Sequence, residues 1–160
     1  MAHTAQLGTL GPHERVTLGA AGLRTFFQIV DRWGLSIADQ CALLGDIGRS
    51  THHAWRQHPP ESAESYTTDR LTRLSYLLGI YGMVQRLYGE SPAFARAWAG
   101  APNMSAAFRG QSPLALMREQ GIPGMQLVRR LLEATAGGGL EPSDELAWDG
   151  TAMPALDTAA

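Results

Sequence analysis

FRGQSPLALMREQGIPGMQLVRRLLEATAG, residues 108 to 137, spells out a short helix, a corner and a longer second helix. Ser112 before Pro113 is a helix start. The serine oxygen accepts an otherwise orphaned amide proton, and proline in the first turn needs no donor. Leu114, Leu116 and Met117 follow. Gly121 stops the helix, because glycine tolerates a left-handed turn. Pro123 and Gly124 restart the chain. Met125, Val128, Leu131 and Leu132 then recur at i, i+3, i+6 and i+7, one apolar stripe on a second helix. The glycines 137 to 139 end it.

Moving outward, Thr68 and Asp69 open a long helix with Leu71, Leu74, Leu77, Leu78, Tyr81, Val84 and Leu87 on one broad face. Such a stripe is core, and its length also permits a dimer seam. Gly79 and Gly82 thin this helix and leave room for a partner helix. Ser91 and Pro92 start a further short helix that ends near Trp98. Before all of these, HPPESAESY at 58–66 is a polar break, since its Pro-Pro pair cannot continue a helix.

The first part of the chain carries another helix pair. Leu23, Phe26, Phe27, Ile29, Val30 and Trp33 form an apolar helix stopped by Gly34. Ser36 and Asp39 make a capping-box-like pair at the head of SIADQCALLG. Ile37, Cys41 and Leu44 are expected to face inward there, with Cys41 as core filler. Gly45 breaks this helix and DIGRSTHHAWRQ follows, the layout of a helix-turn-helix. Ile47, Thr51, Ala54 and Trp55 are expected to face the first helices. Arg49, Ser50, His52, His53 and Arg56 are expected to point outward. Arginine and serine there can meet phosphates or base edges; a plain solvated face has the same composition. Residues 1–20, Gly- and Thr-rich, read as a loose arm.

FRGQSPLALMREQGIPGMQLVRRLLEATAGG resembles the C-terminal toxin-binding domain of Xre/MbcA/ParS-type antitoxins. That pattern runs through an aromatic residue, a glycine, Ser-Pro-Leu, apolar residues, a glycine, then Val and Leu on a last helix. AWAGAPNMSAAFRG resembles the family's Trp-containing segment, and TDRLTRLSYLLGIYGMVQRLYG its Arg-Leu-rich helix. The resemblance covers about Leu23 to Gly138 and implies an all-α protein. An arm at 1–20 precedes an Xre-like helix-turn-helix at 21–60. A helical dimerisation and toxin-binding domain at 66–138 and a tail at 139–160 complete it. It further implies a cytoplasmic type II antitoxin that binds a RES-domain toxin encoded by a neighbouring gene. Such toxins use NAD, as ADP-ribosyltransferases or NADases. Blocking of the NAD pocket and repression of the antitoxin's own operon are part of the same implication, as is a homodimer within a hetero-oligomeric complex.

Toxin binding falls, by this resemblance, on Phe108, Gly110, Ser112, Pro113, Leu114, Met117, Gly121, Val128 and Leu131. The tail LEPSDELAWDGTAMPALDTAA holds Glu141, Asp144, Glu145, Asp149 and Asp157 and no basic residue. Trp148 between acids has the chemistry of an aromatic anchor with polar handles. With Glu145 and Asp149 it could replace a pyrophosphate in a cationic pocket; an unstructured acidic tail is the alternative.

Composition narrows the field further. A chain of 160 residues suits one modest domain with extensions or two very small ones. Nothing near 18 consecutive apolar residues occurs, so no membrane span is expected. MAHTAQLGTLGPHER has no basic segment leading into an apolar run, so no secretory signal is expected. A single cysteine precludes an internal disulfide and fits a reducing compartment. All 13 basic residues are arginine, yet the net charge of −2 argues against strong affinity for DNA by a lone protomer. His52, His53 and His58 have no HExxH or CxxC companion, and adjacent helical histidines diverge by about 100°. They are expected at the surface. Gly137–Gly139 lack the Lys-Ser/Thr and strand of a phosphate loop. No catalytic residue, cofactor or metal ligand is assigned. The competing function is a stand-alone helix-turn-helix regulator that dimerises through its C-terminal domain.

Overall fold

The computed structural model describes residues 6–137, and within them the fold is all-α. Seven helices follow one another: α1 Pro12–Arg32, α2 Ile37–Leu43, α3 Arg49–Gln57, α4 Thr68–Tyr88, α5 Pro92–Ala97, α6 Pro113–Gln120 and α7 Ile122–Ala136. A 3-10 turn, Ala63–Ser65, bridges α3 and α4.

The first helix begins earlier than the apolar pattern indicates. Pro12 starts α1, and the Gly11 amide donates to the Glu14 carboxylate at 2.8 Å. Arg15 then donates to the carbonyls of Leu10, Leu7 and Tyr66 at 3.0–3.2 Å. Residues 12–20 are therefore helix and not a loose arm. The sequence hides this because Gly19 and Gly22 leave the stripe without side chains. A Cβ on Gly19 would lie 2.1 Å from the Tyr66 ring, and one on Gly22 would lie 3.4 Å from Leu74. The bare backbone at Gly19 is what lets α1 lie against the Tyr66 segment, while a methyl at Gly22 would only touch Leu74 of α4. Tyr66 itself is fully buried, its hydroxyl donating to the Pro60 carbonyl at 2.9 Å, so the polar break at 58–66 is pinned at its end.

α4 is the central element, packed against α1, α5 and α7. Its Leu71, Leu74, Leu77, Ile80 and Val84 are buried, whereas Leu78, Tyr81 and Leu87 are only half-buried. A helix with neighbours on several sides carries apolar residues around its circumference rather than on one face. Thr67 caps it by accepting from the Arg70 amide at 3.2 Å. One continuous apolar core joins Leu23, Phe26, Phe27 and Val30 of α1 to α4, to Leu116 and Met117 of α6, and to Met125, Val128 and Leu132 of α7.

α2 and α3 show which way the early helices turn. Ser36 accepts from the Asp39 amide at 3.1 Å, as its position implies. Cys41, Leu43 and Leu44 are buried, but Ile37 is 51% exposed, so the inward assignment of Ile37 is wrong. It occupies the first turn of a seven-residue helix, whose start lies beyond the rim of the core. Ala54 is likewise exposed, while Ile47, Thr51 and Trp55 are half-buried. His52, assigned outward, is 3% exposed and is the buried side chain of α3.

Candidate functional site

The hairpin α6–α7 is built by capping and close backbone contact. Ser112 accepts from the Ala115 amide at 3.1 Å, and the orphan amide of Leu114 donates to the Ala99 carbonyl at 2.9 Å. That bond ties the start of α6 to the end of α5. Between them the chain closes on itself: Gly110 donates to the Asn103 carbonyl at 2.9 Å and Asn103 to the Gln111 carbonyl at 3.1 Å. The buried Asn103 side chain also accepts from the Ser105 amide at 3.0 Å. Gly110 at φ 82° and Gly121 at φ 61° take left-handed turns there. At the corner, a Cβ on Gly124 would come within 2.5 Å of the Leu116 carbonyl oxygen, so only glycine lets α6 and α7 meet so closely.

This construction sorts the expected toxin-binding residues. Phe108, Pro113, Met117 and Val128 are buried, Met117 and Val128 at 1% and 0% exposure. As they stand they shape the hairpin from within and offer a partner no surface. Gly110, Ser112, Leu114, Gly121 and Leu131 are half-buried, so of the expected residues these are the ones a partner can touch. Leu131 borders a crevice with Tyr88, Trp98, Phe108 and Thr135. Glu145, Trp148 and Asp149 lie outside the described residues.

Polar contacts absent from the sequence reading hold this hairpin to the rest. Arg118 of α6 pairs with Asp39 of α2 at 2.8 Å, giving the cap residue Asp39 a second role. Arg73 pairs with Asp69 at 2.7 Å and lies against both Gly45 and Gly121, the two glycine corners. The Arg118–Asp39 pairing has no local sequence signal, since its partners come from different helices, whereas Arg73–Asp69 is an i,i+4 pair within α4.

The α3 face is also regrouped. His52 Nε2 is 2.8 Å from Gln40 Oε1, and its ring stands edge-on to Phe27 with centroids 5.3 Å apart. Burial pushes its pKa below the ordinary histidine value, Arg56 and His53 add to this, and Asp31 opposes it. Arg56 pairs with Asp31 at 2.6 Å and lies over the Phe27 ring. His53 hydrogen-bonds Gln57 at 3.0 Å but is exposed, as are Arg49 and Ser50. Of the five expected DNA-facing residues, His52 is removed and Arg56 is already paired. Cys41 is buried and its thiol pKa is raised by that burial, against a smaller opposing influence of Arg49. That is the reverse of an activated thiolate. Among the described residues no three His, Cys, Asp or Glu side chains group to hold a metal, and no helix is long and apolar enough to cross a membrane.

Residues 83–138 match the antitoxin Xre/MbcA/ParS C-terminal toxin-binding domain, from the end of α4 through α7. The chain is also 36% identical over 118 residues to "Uncharacterized protein y4oB" of Sinorhizobium fredii (strain NBRC 101917 / NGR234), covering 74% of this chain and 86% of that one. The chain belongs to the family of antitoxins that carry the Xre/MbcA/ParS toxin-binding domain. Its hairpin lies within the matched residues.

Proposed function

We propose that this antitoxin neutralises a RES-domain toxin, encoded beside it, that binds and uses NAD. The observation that carries the reading is the coincidence of the 83–138 match with a capped, closely packed hairpin that keeps Leu114, Gly121 and Leu131 partly accessible. In this reading the rim around Leu114, Gly121 and Leu131 docks the toxin. The segment after Gly139, with Trp148 as anchor and Glu145 and Asp149 as pyrophosphate substitutes, enters the NAD pocket. The protein works in the cytoplasm, as a homodimer within a larger complex. Co-expression with the neighbouring gene, pull-down and NAD consumption test this. Truncation after Gly139 should leave the complex intact and restore NAD turnover. A truncated protein that still blocks turnover would assign neutralisation to the hairpin alone, and no complex at all would favour a stand-alone regulator.

Repression of its own operon is the second part of the proposal, supported by the exposure of Arg49, Ser50 and His53 on α3. A chain with net charge −2 makes few phosphate contacts alone, so the toxin–antitoxin complex, presenting two such helices about 34 Å apart, should bind promoter DNA better. Arg49→Ala with Ser50→Ala should abolish the gel shift; unchanged binding would remove α3 from DNA contact.

A further inference from the structure

We propose that the cleft between α1, α4 and α5 is a docking site for the acidic C-terminal segment of the same chain. The cleft encloses about 520 Å³ and is lined by Arg32, Trp33, Tyr81, Gln85, Pro92 and Arg96, together with two alanines. Among the described residues no carboxylate lines it. Neither Arg32 nor Arg96 forms an ion pair among the described residues. Arg32 instead donates to the Tyr81 hydroxyl at 2.6 Å. In a chain of net charge −2, two guanidinium groups without an ion pair in one cleft are a local excess of positive charge. Trp33 lines this cleft, and its indole N–H is buried and has no acceptor among the described residues. A buried donor without a partner is destabilising, and an incoming carboxylate or carbonyl oxygen would relieve it.

Charge and tether select the occupant. Residues 141–157 carry Glu141, Asp144, Glu145, Asp149 and Asp157 and no basic group, with Trp148 among them. Bidentate guanidinium–carboxylate pairing suits the acids, and the aromatic walls of Trp33 and Tyr81 suit the indole. Thr135, in the last turn of α7, shares a crevice with Tyr88 and Trp98, and the Trp98 ring lies 6.3 Å from that of Trp33. Trp98 thus links the last turn of α7 to the wall of the cleft. Glu145 follows Gly137 by eight residues, up to about 26 Å of extended chain. A tether of that length makes docking intramolecular, with an effective concentration in the millimolar range, so individually weak contacts suffice. This inference concerns the antitoxin alone and stands apart from the toxin reading. If both hold, the cleft and the toxin compete for one segment.

The test uses the full chain labelled with 5-fluorotryptophan, whose four indoles, Trp33, Trp55, Trp98 and Trp148, report separately by fluorine NMR. Docking predicts a Trp148 resonance displaced from that of a free indole, and a Trp33 resonance that moves when docking is lost. Arg32→Gln/Arg96→Gln should return Trp148 to the free position. Glu145→Gln/Asp149→Asn, which leaves every described residue untouched, should do the same and shift Trp33, with Trp55 unmoved. A Trp148 resonance at the free position in the wild type overturns the proposal, as does indifference of Trp33 to the tail substitutions. Displacement that fades on dilution also overturns it, because the occupant would then be a second copy.

Discussion

The pairs α2–α3 and α6–α7 each turn on a left-handed glycine, Gly45 at φ 89° and Gly121 at φ 61°, yet they are held by different forces. In α6–α7 one residue separates the helices, and Gly124 presses against the Leu116 carbonyl with no room for a methyl group. In α2–α3 residues 44–48 intervene, Asp46 is also left-handed, and the inward contact is a polar one, His52 on Gln40 beneath Phe27. A one-residue corner fixes how each helix is rotated, so the apolar stripe alone shows which side is buried. A five-residue turn leaves that rotation to distant partners. The histidine facing inward on α3 was therefore misread, while Val128 and Leu132 were not.

The largest way to break the comparison is Gly124→Val. The added side chain meets backbone and not a movable side chain, so the hairpin should lose about 3 kcal/mol or more, seen as a lowered urea midpoint and lost toxin pull-down. A midpoint near wild type would mean the corner opens without cost. Leu132→Asp should be nearly as damaging, because Leu132 is 4% exposed and an unpaired carboxylate there is costly. Leu131→Asp, at the half-buried rim, should cost only about 1 kcal/mol and keep helical content while weakening toxin binding. Equal effects at the two positions would erase the distinction between core and rim.

Gln40→Ala probes the other pair. It strands the His52 ring without its partner and should destabilise by about 1–3 kcal/mol. The same histidine has a pH signature. Its folded pKa is depressed by burial, so the unfolded chain takes up the proton more readily. Stability should be full above the ordinary histidine pKa of about 6.5 and fall as the pH drops below it. Urea midpoints at about pH 7.5 and 5.5 should separate in the wild type and converge in His52→Gln. The smallest effect belongs to Arg118→Ala, which removes the partly exposed pair with Asp39 that joins the two regions. It should cost less than about 1 kcal/mol and diminish further in high salt.

Local chemistry was enough for the sequence to determine the all-α class, the caps at Ser36 and Ser112, the stops at Gly34 and Gly121, and the stripe Met125, Val128, Leu131 and Leu132, of which Leu131 is only half-buried. Each of these depends on residues within a turn or two of one another. The antitoxin family was legible for the same reason, since its motif lies within one hairpin and its approach. Tertiary structure decided what local pattern could not. It made residues 12–20 helix, where Gly19 is small for the sake of Tyr66 and, with Gly22, left no stripe. It turned His52 in and Ile37 out, placed Phe108 and Met117 beneath the surface they help to shape, and set Arg32 and Arg96 beside Trp33 in one cleft. Burial is a property of which helices meet, and a single helix's periodicity cannot show where its neighbours end.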